Sequence, residues 1–147
     1  MMKKTIFTTV TLLSFLVMLI AVGAQAQSAT ALKADVPFEF SVNKQTLPAD
    51  QYEIQVKRIG GTWAVQINRD RRAEGIYFVT QRTMRGKAPD EPQLIFHRYG
   101  DQYFLAQVRL SNERDAMTLP RSHAEEEVLN AMHGAAPQIV AVNLTRP

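Results

Sequence analysis

The sequence predicts a mainly β chain, an antiparallel sandwich or a partly open barrel of about seven strands, with one α-helix in its C-terminal half at about 121–133. Three observations lead there. Apolar and polar residues alternate over several short runs, the pattern of half-buried strands. Two pairs of runs are joined by Gly60-Gly61 and Gly100-Asp101, dipeptides suited to two-residue hairpin turns. One segment alone carries a helix start signature.

The chain of 147 residues opens on a segment set apart from the fold. Lys3 and Lys4 precede an apolar run from Ile6 to Val22, which closes on Ala24-Gln25-Ala26. This is the pattern of a Sec-type signal peptide, and it predicts cleavage after Ala26 and a periplasmic or extracellular protein. The run is interrupted by Thr8, Thr9, Thr11 and Ser14. It is short for a spanning helix, which needs roughly 20 apolar residues. No transmembrane span is expected after cleavage.

Export changes the charge. Loss of Lys3 and Lys4 takes 17 basic residues to 15 against 14 acids, so +3 becomes +1. A nucleic-acid partner is not expected on that balance. Cysteine is absent, so no disulfide framework, cysteine nucleophile or lipidated N-terminal cysteine is available. Residues 35–147 read as a single β-rich domain resting on an apolar core, with 27–34 as a flexible lead-in.

The first predicted strand is "VPFEFSV", with Val36, Phe38, Phe40 and Val42 on one face and Pro37 suiting a strand start or an edge. "NKQTLPAD" turns the chain. "YEIQVKRIGGTWAVQIN" reads as a hairpin. A turn at Gly60-Gly61 pairs Arg58 with Trp63, Val56 with Val65 and Ile54 with Ile67, so the apolar residues share a face. Residues 68–75 are a polar connection. "IYFVTQRT" is a fourth strand, apolar on both faces at its start, and "MRGKAPDEP" is a loop.

"LIFHRYGDQYFLAQVRL" is the second hairpin. A turn at Gly100-Asp101 sets Tyr99 against Gln102 and Arg98 against Tyr103. One face then carries Leu94, Phe96, Tyr103 and Leu105. The other carries Ile95, His97, Tyr99, Phe104, Ala106 and Val108. Neither is a water face, so the pair is expected to be covered on both sides, by the β core and by the helix. Both hairpin tips put an arginine opposite an aromatic ring, Arg58 with Trp63 and Arg98 with Tyr103, which suits cation–π contact.

"SNERDAMT" reads as a polar loop. The helix follows in "LPRSHAEEEVLNAMHG". Ser122 and Glu125 form a capping box, Glu125, Glu126 and Glu127 suit the dipole of the first turn, and Gly134 ends the helix. Ala124, Val128, Ala131 and Met132 form its predicted apolar stripe, with Val128 and Met132 facing the hairpin. "QIVAVNL" is the last strand.

The candidates for chemistry are sparse. His123 and Glu127 share a helix face, a weak metal pair by spacing, though a histidine beside helix-start acids accounts for both. His97 reads as a semi-buried histidine bonded to a neighbour. As a general base in a hydrolase it would need a nucleophile and an orienting acid. No Gly-x-Ser-x-Gly element or carboxylate pair is present, and no cofactor signature. The expectation is a non-enzymatic protein. Arg69, Arg71, Arg72, Arg82, Arg85 and Lys87 form a basic stretch suited to an anionic polymer or another component of the envelope, against the plain alternative of solvated loops.

Four pieces together, the export signal, "DVPFEFSVNKQTLPADQYEI", "LIFHRYGDQYFLAQV" and "LPRSHAEEE", resemble small exported β-rich proteins of unknown function abundant in acidobacterial genomes. The resemblance spans Asp35 to about Leu129 and implies export and a β-rich domain, with no reaction attached. Asp50 stands where that pattern has glycine; aspartate tolerates a left-handed turn residue better than most. The Leu-Pro-Ala-x-x-Tyr turn also resembles hairpins of secreted carboxypeptidase-regulatory-like sandwiches, which implies a non-catalytic module.

The function expected is thus an exported binding or structural module of the cell envelope. The alternative is a carrier that holds a small apolar ligand in a barrel cavity. Phe96, His97, Arg98, Tyr103, Phe104 and Leu105 are the candidate ligand-facing or hairpin residues.

Overall fold

The computed structural model describes residues 30–69, 75–84 and 86–147. The signal segment 1–26 and Arg71, Arg72 and Arg85 lie outside the described residues. Ten strands and one helix follow in the order β1 (Thr30–Val36), β2 (Phe40–Val42), β3 (Gln45–Leu47), β4 (Asp50–Ile59), β5 (Thr62–Asn68), β6 (Ile76–Met84), β7 (Gln93–Tyr99), β8 (Gln102–Arg109), β9 (Asp115–Thr118), α1 (His123–Ala131) and β10 (Gln138–Thr145).

Eight strands close into an antiparallel barrel. Around it run β1, β4, β5, β6, β9, β8, β7 and β10, which pairs back onto β1. Of the two architectures open to the sequence, the barrel is the one formed. Closure leaves the ring without a free end, the usual remedy for exposed edges. β2 and β3 form a small hairpin attached outside the ring, and β2 bonds β8 in parallel at Ser41 and Phe104.

The core fills the barrel. Tyr52, Phe40, Phe96, Leu32, Ile54 and Ile67 are among its largest fully buried side chains. Phe96 meets Phe40 and Phe38 edge-on, at centroid distances of 5.2 and 5.1 Å. Inward positions alternate along the strands as the pleat requires, with a break at one bulge in β8.

The first hairpin has the predicted register, with Arg58 opposite Trp63, Val56 opposite Val65 and Ile54 opposite Ile67. In the second, Tyr99 faces Gln102 and Arg98 faces Tyr103. Both arginines lie over their rings, at 6.0 and 5.4 Å from the centroids. Arg82 reaches the Trp63 ring as well, at 5.9 Å.

Five expectations are corrected. Residues 30–34, read as lead-in, belong to β1, and Leu32 and Ala34 are core. "VPFEFSV" is two strands rather than one, because the chain leaves the ladder from Pro37 to Glu39. Val108 faces inward: a bulge places Phe96 opposite Leu105 but Ile95 opposite Gln107, so Ala106 is the extra residue and the alternation reverses beyond it. Asp115–Thr118, read as loop, is β9, the strand that closes the barrel between β6 and β8. Asp50 needs no left-handed backbone; it starts β4, and only Asn43, Asn112 and His133 have positive φ among the described non-glycine residues.

The helix is corrected too. Ala124, Ala131 and Met132 are exposed, and the face turned to the barrel is Glu125, Val128 and Leu129. Val128 of the predicted stripe is thus half-buried, while Met132 is not a cover.

Candidate functional site

β8 has two different neighbours along one side. Its second half, Gln107–Arg109, pairs with β9, and its first half meets β2 at Phe104. β6 divides the same way. Gln81–Met84 pairs with β9, whereas Ile76–Thr80 pairs with β5 alone. The ladder stops where β9 runs into Leu119-Pro120. Leu119 still donates its N–H to the Ala106 carbonyl at 2.8 Å, but Pro120 has no N–H to give. The chain then leaves for α1, and the barrel wall opens into a lateral cleft of about 730 Å³.

Phe78 and Leu105 form the floor of this cleft. Leu119, Pro120 and Arg121 form one wall, with Ser122 and Glu125 beyond them, and Tyr77 and Val79 of β6 stand opposite. Ile59 comes in from the tip of the first hairpin. Tyr77, Val79 and Ile59 are 57%, 64% and 58% exposed, which is unusual for side chains of their size. The volume lies in the range of ligand sites, about 300–1,000 Å³.

Beyond the Leu119–Arg121 wall, Glu125 is 3% exposed. Its Oε1 accepts from His97 Nδ1 at 2.6 Å and from the Tyr99 hydroxyl at 3.1 Å. Ser122 accepts from the Glu125 N–H at 3.2 Å, so half of the capping box is present, while the glutamate side chain turns to the barrel instead of the cap. Burial pushes the Tyr99 phenol above its ordinary pKa; the Glu125 charge and hydrogen bond add to the rise, and Arg121 offsets part of it. At the start of β4, the Gln51 N–H and the Arg69 guanidinium hold the Asp50 carboxyl below its ordinary pKa.

The six hairpin candidates separate. Phe104 and Leu105 line the lateral cleft. Phe96 is packed in the core, away from it. His97 is on the outer face, bonded to Glu125, a partner that sequence spacing did not reveal. Among the described residues no hydroxyl nucleophile bonds to His97, and His97 does not line the cleft. Arg98 donates to the Gly100 carbonyl at 2.7 Å and covers Tyr103, which stacks on Phe38 at 3.9 Å.

The basic stretch separates as well. Arg69 pairs with Asp50 at 2.6 Å, where β5 ends. Arg82 pairs with Asp115 near the end of β6, and Lys87 lies beyond it on the connection to β7. β5 ends where β6 begins, so Arg69 and Lys87 sit at opposite ends of the barrel. His123 and Glu127 are 3.3 Å apart on the exposed face of α1, and no cluster of three potential metal ligands exists among the described residues. No helix among them is long and apolar enough to cross a membrane.

The cleft itself was missed in sequence because its walls come from five separate segments. The available signals were Pro120, which must end a ladder, and a strand start, "IYFV", apolar on both faces. Compared with known proteins, the chain matches no family model, no curated protein and no solved structure.

Proposed function

We propose that this protein is an exported, non-enzymatic barrel that works in the cell envelope by binding an apolar partner in its lateral cleft. One observation carries the reading: a cleft of about 730 Å³ with an apolar floor opens beside three large exposed apolar side chains. Exposed apolar surface next to a concavity is a common mark of a binding site. A carrier holding its ligand inside the barrel is less well supported, since Phe96, Phe40 and Tyr52 are fully buried and packed ring to ring in the core. The export half of the proposal rests on Lys3, Lys4, the apolar run and the Ala24-Gln25-Ala26 close.

The test is binding of an environment-sensitive naphthalene sulfonate dye to the exported protein. Val79→Glu in the cleft wall should abolish the fluorescence gain, while Ile139→Glu, on exposed β10, should leave it. Equal loss or equal retention in both variants would reject the cleft. The denatured intact mass of the same preparation checks cleavage after Ala26.

A further inference from the structure

The cleft is bordered by more than side chains. Along Ile76–Thr80, β6 has β5 on one side and no strand among the described residues on the other. Its sequence there, "IYFVT", contains no proline, glycine or charge. Proteins ordinarily protect such an edge with a lysine, a proline, a bulge or a cover. Here the adjoining strand β9 ends at Thr118, opposite Gln81, and leaves all five residues of that edge uncovered, because the chain past Thr118 turns to β8 and then to α1. The result is a ladder position left open above the apolar floor of Phe78 and Leu105.

Resting on the cleft reading above, we propose that the site takes an extended apolar peptide by strand addition, the peptide lying along Ile76–Thr80 in continuation of β9's place in the barrel. The backbone decides the ligand class. A lipid chain would fill the apolar space but leave the edge N–H and C=O groups of β6 unmatched, and unmatched backbone groups are costly once water is excluded. A peptide in β conformation supplies both ladder partners and side chains.

The pleat also sets the peptide's composition. Successive side chains on an added strand point to opposite faces. One set would meet Phe78 and Leu105 on the floor, and the other would lie beside Tyr77 and Val79 on the outer surface. Both sets are therefore apolar, and β-branched or aromatic residues fit best, as cross-strand neighbours of a tyrosine and a valine. This is the mode in which main-chain bonds give affinity and pockets give selectivity.

The experiment uses a capped peptide of about six alternating valine and phenylalanine residues, flanked by lysines for solubility, matched to a normal strand length. A second peptide of the same sequence is N-methylated at alternate backbone nitrogens, which removes the ladder bonds and keeps the side chains. Amide exchange of the exported protein is followed by NMR with each. The unmodified peptide should slow exchange at the edge amides within 76–80 by at least about tenfold, and the N-methylated peptide should bind at least about tenfold more weakly. Val79→Lys, an edge charge at an exposed position, should weaken the unmodified peptide and leave the far-ultraviolet spectrum unchanged.

Equal binding of the two peptides in the cleft would overturn strand addition and leave the apolar cleft standing. Binding of neither peptide, with the naphthalene dye still bound, would also overturn it. Failure of the dye and of both peptides would remove the cleft reading together with the inference.

Discussion

The His97 imidazole and the Glu125 carboxylate meet at 2.6 Å, Nδ1 to Oε1, across 28 positions of chain. An ionised carboxylate has no proton to give, so Nδ1 donates. Tyr99 donates to the same oxygen from two residues further along β7. A buried glutamate thus fixes the start of α1 on the outer face of the barrel, and the same segment, from Leu119 to Ser122, forms a wall of the cleft. The position of the wall depends on this polar contact as well as on apolar packing.

Glu125→Leu should therefore destabilise the protein by about 1–3 kcal/mol for the buried Tyr99 hydroxyl left without a partner, with a smaller share from half-buried His97. Glu125→Gln, which keeps one acceptor oxygen, should cost less. Urea unfolding followed by circular dichroism measures both. A Glu125→Leu variant as stable as the parent would show that the helix is held by Val128 and Leu129 alone.

Tyr99 and Tyr52 predict a loss of stability in alkali. Burial raises both phenols above the ordinary value. In the unfolded chain a tyrosine loses its proton near about pH 10, while the folded protein keeps it to higher pH. Above the unfolded value the unfolded state binds fewer protons, so stability falls as pH rises through the folded values. Tm measured from neutral pH upward should drop beyond about pH 10, and Tyr99→Phe should shallow the drop. Asp50 acts in the opposite range. Its lowered pKa stabilises the fold above the unfolded value, and that share is lost as pH falls through the folded one. Asp50→Asn should remove the acid-side share and, because the Asp50 charge also helps to raise the Tyr52 phenol, make the alkaline limb slightly shallower.

Local pattern made both hairpins legible, because register follows from a two-residue turn and a shared apolar face. It failed where a distant partner decides. Glu125 carries the residue type of a solvated helix face, and its burial depends on donors that belong to β7. β9 has four residues, too few to show a period, and only Ala116 and Met117 are apolar within it. The bulge at Ala106 has no glycine to mark it. The cleft follows from the β9 error, since an open ladder position has no meaning until the strand that fails to fill it is known.

Trp63 lies between two guanidiniums, Arg58 at 6.0 Å and Arg82 at 5.9 Å from its centroid. Such contacts are worth about 0.5–1 kcal/mol at exposed sites. Arg82 also pairs with Asp115 and so ties β6 to β9; exposed pairs of this kind add about 0.2–1 kcal/mol. Arg82→Met should thus cost more than Arg58→Met. A double-mutant cycle of Arg82→Met with Asp115→Ala, read in urea midpoints, separates the two contributions. Equal costs for the two arginines would remove the strand tie.

Met117 tests the closure of the barrel. It is 4% exposed, opposite Arg82 on β6 and Val108 on β8, and it belongs to the central core cluster. Met117→Ala should cost about 2–5 kcal/mol, the range for truncating a buried methionine. The loss has a direction as well as a size. β9 is joined to the barrel by only four residues on the β6 side and three on the β8 side. Its ladder should loosen before the long β4–β5 pair does. Native-state amide exchange in the Met117→Ala protein should accelerate first at Ala116–Thr118 and at Gln81–Met84, with Ile54 and Val65 still protected. Uniform acceleration across all strands would mean that β9 opens only with global unfolding, and the seam at Pro120 would then be rigid in the folded protein.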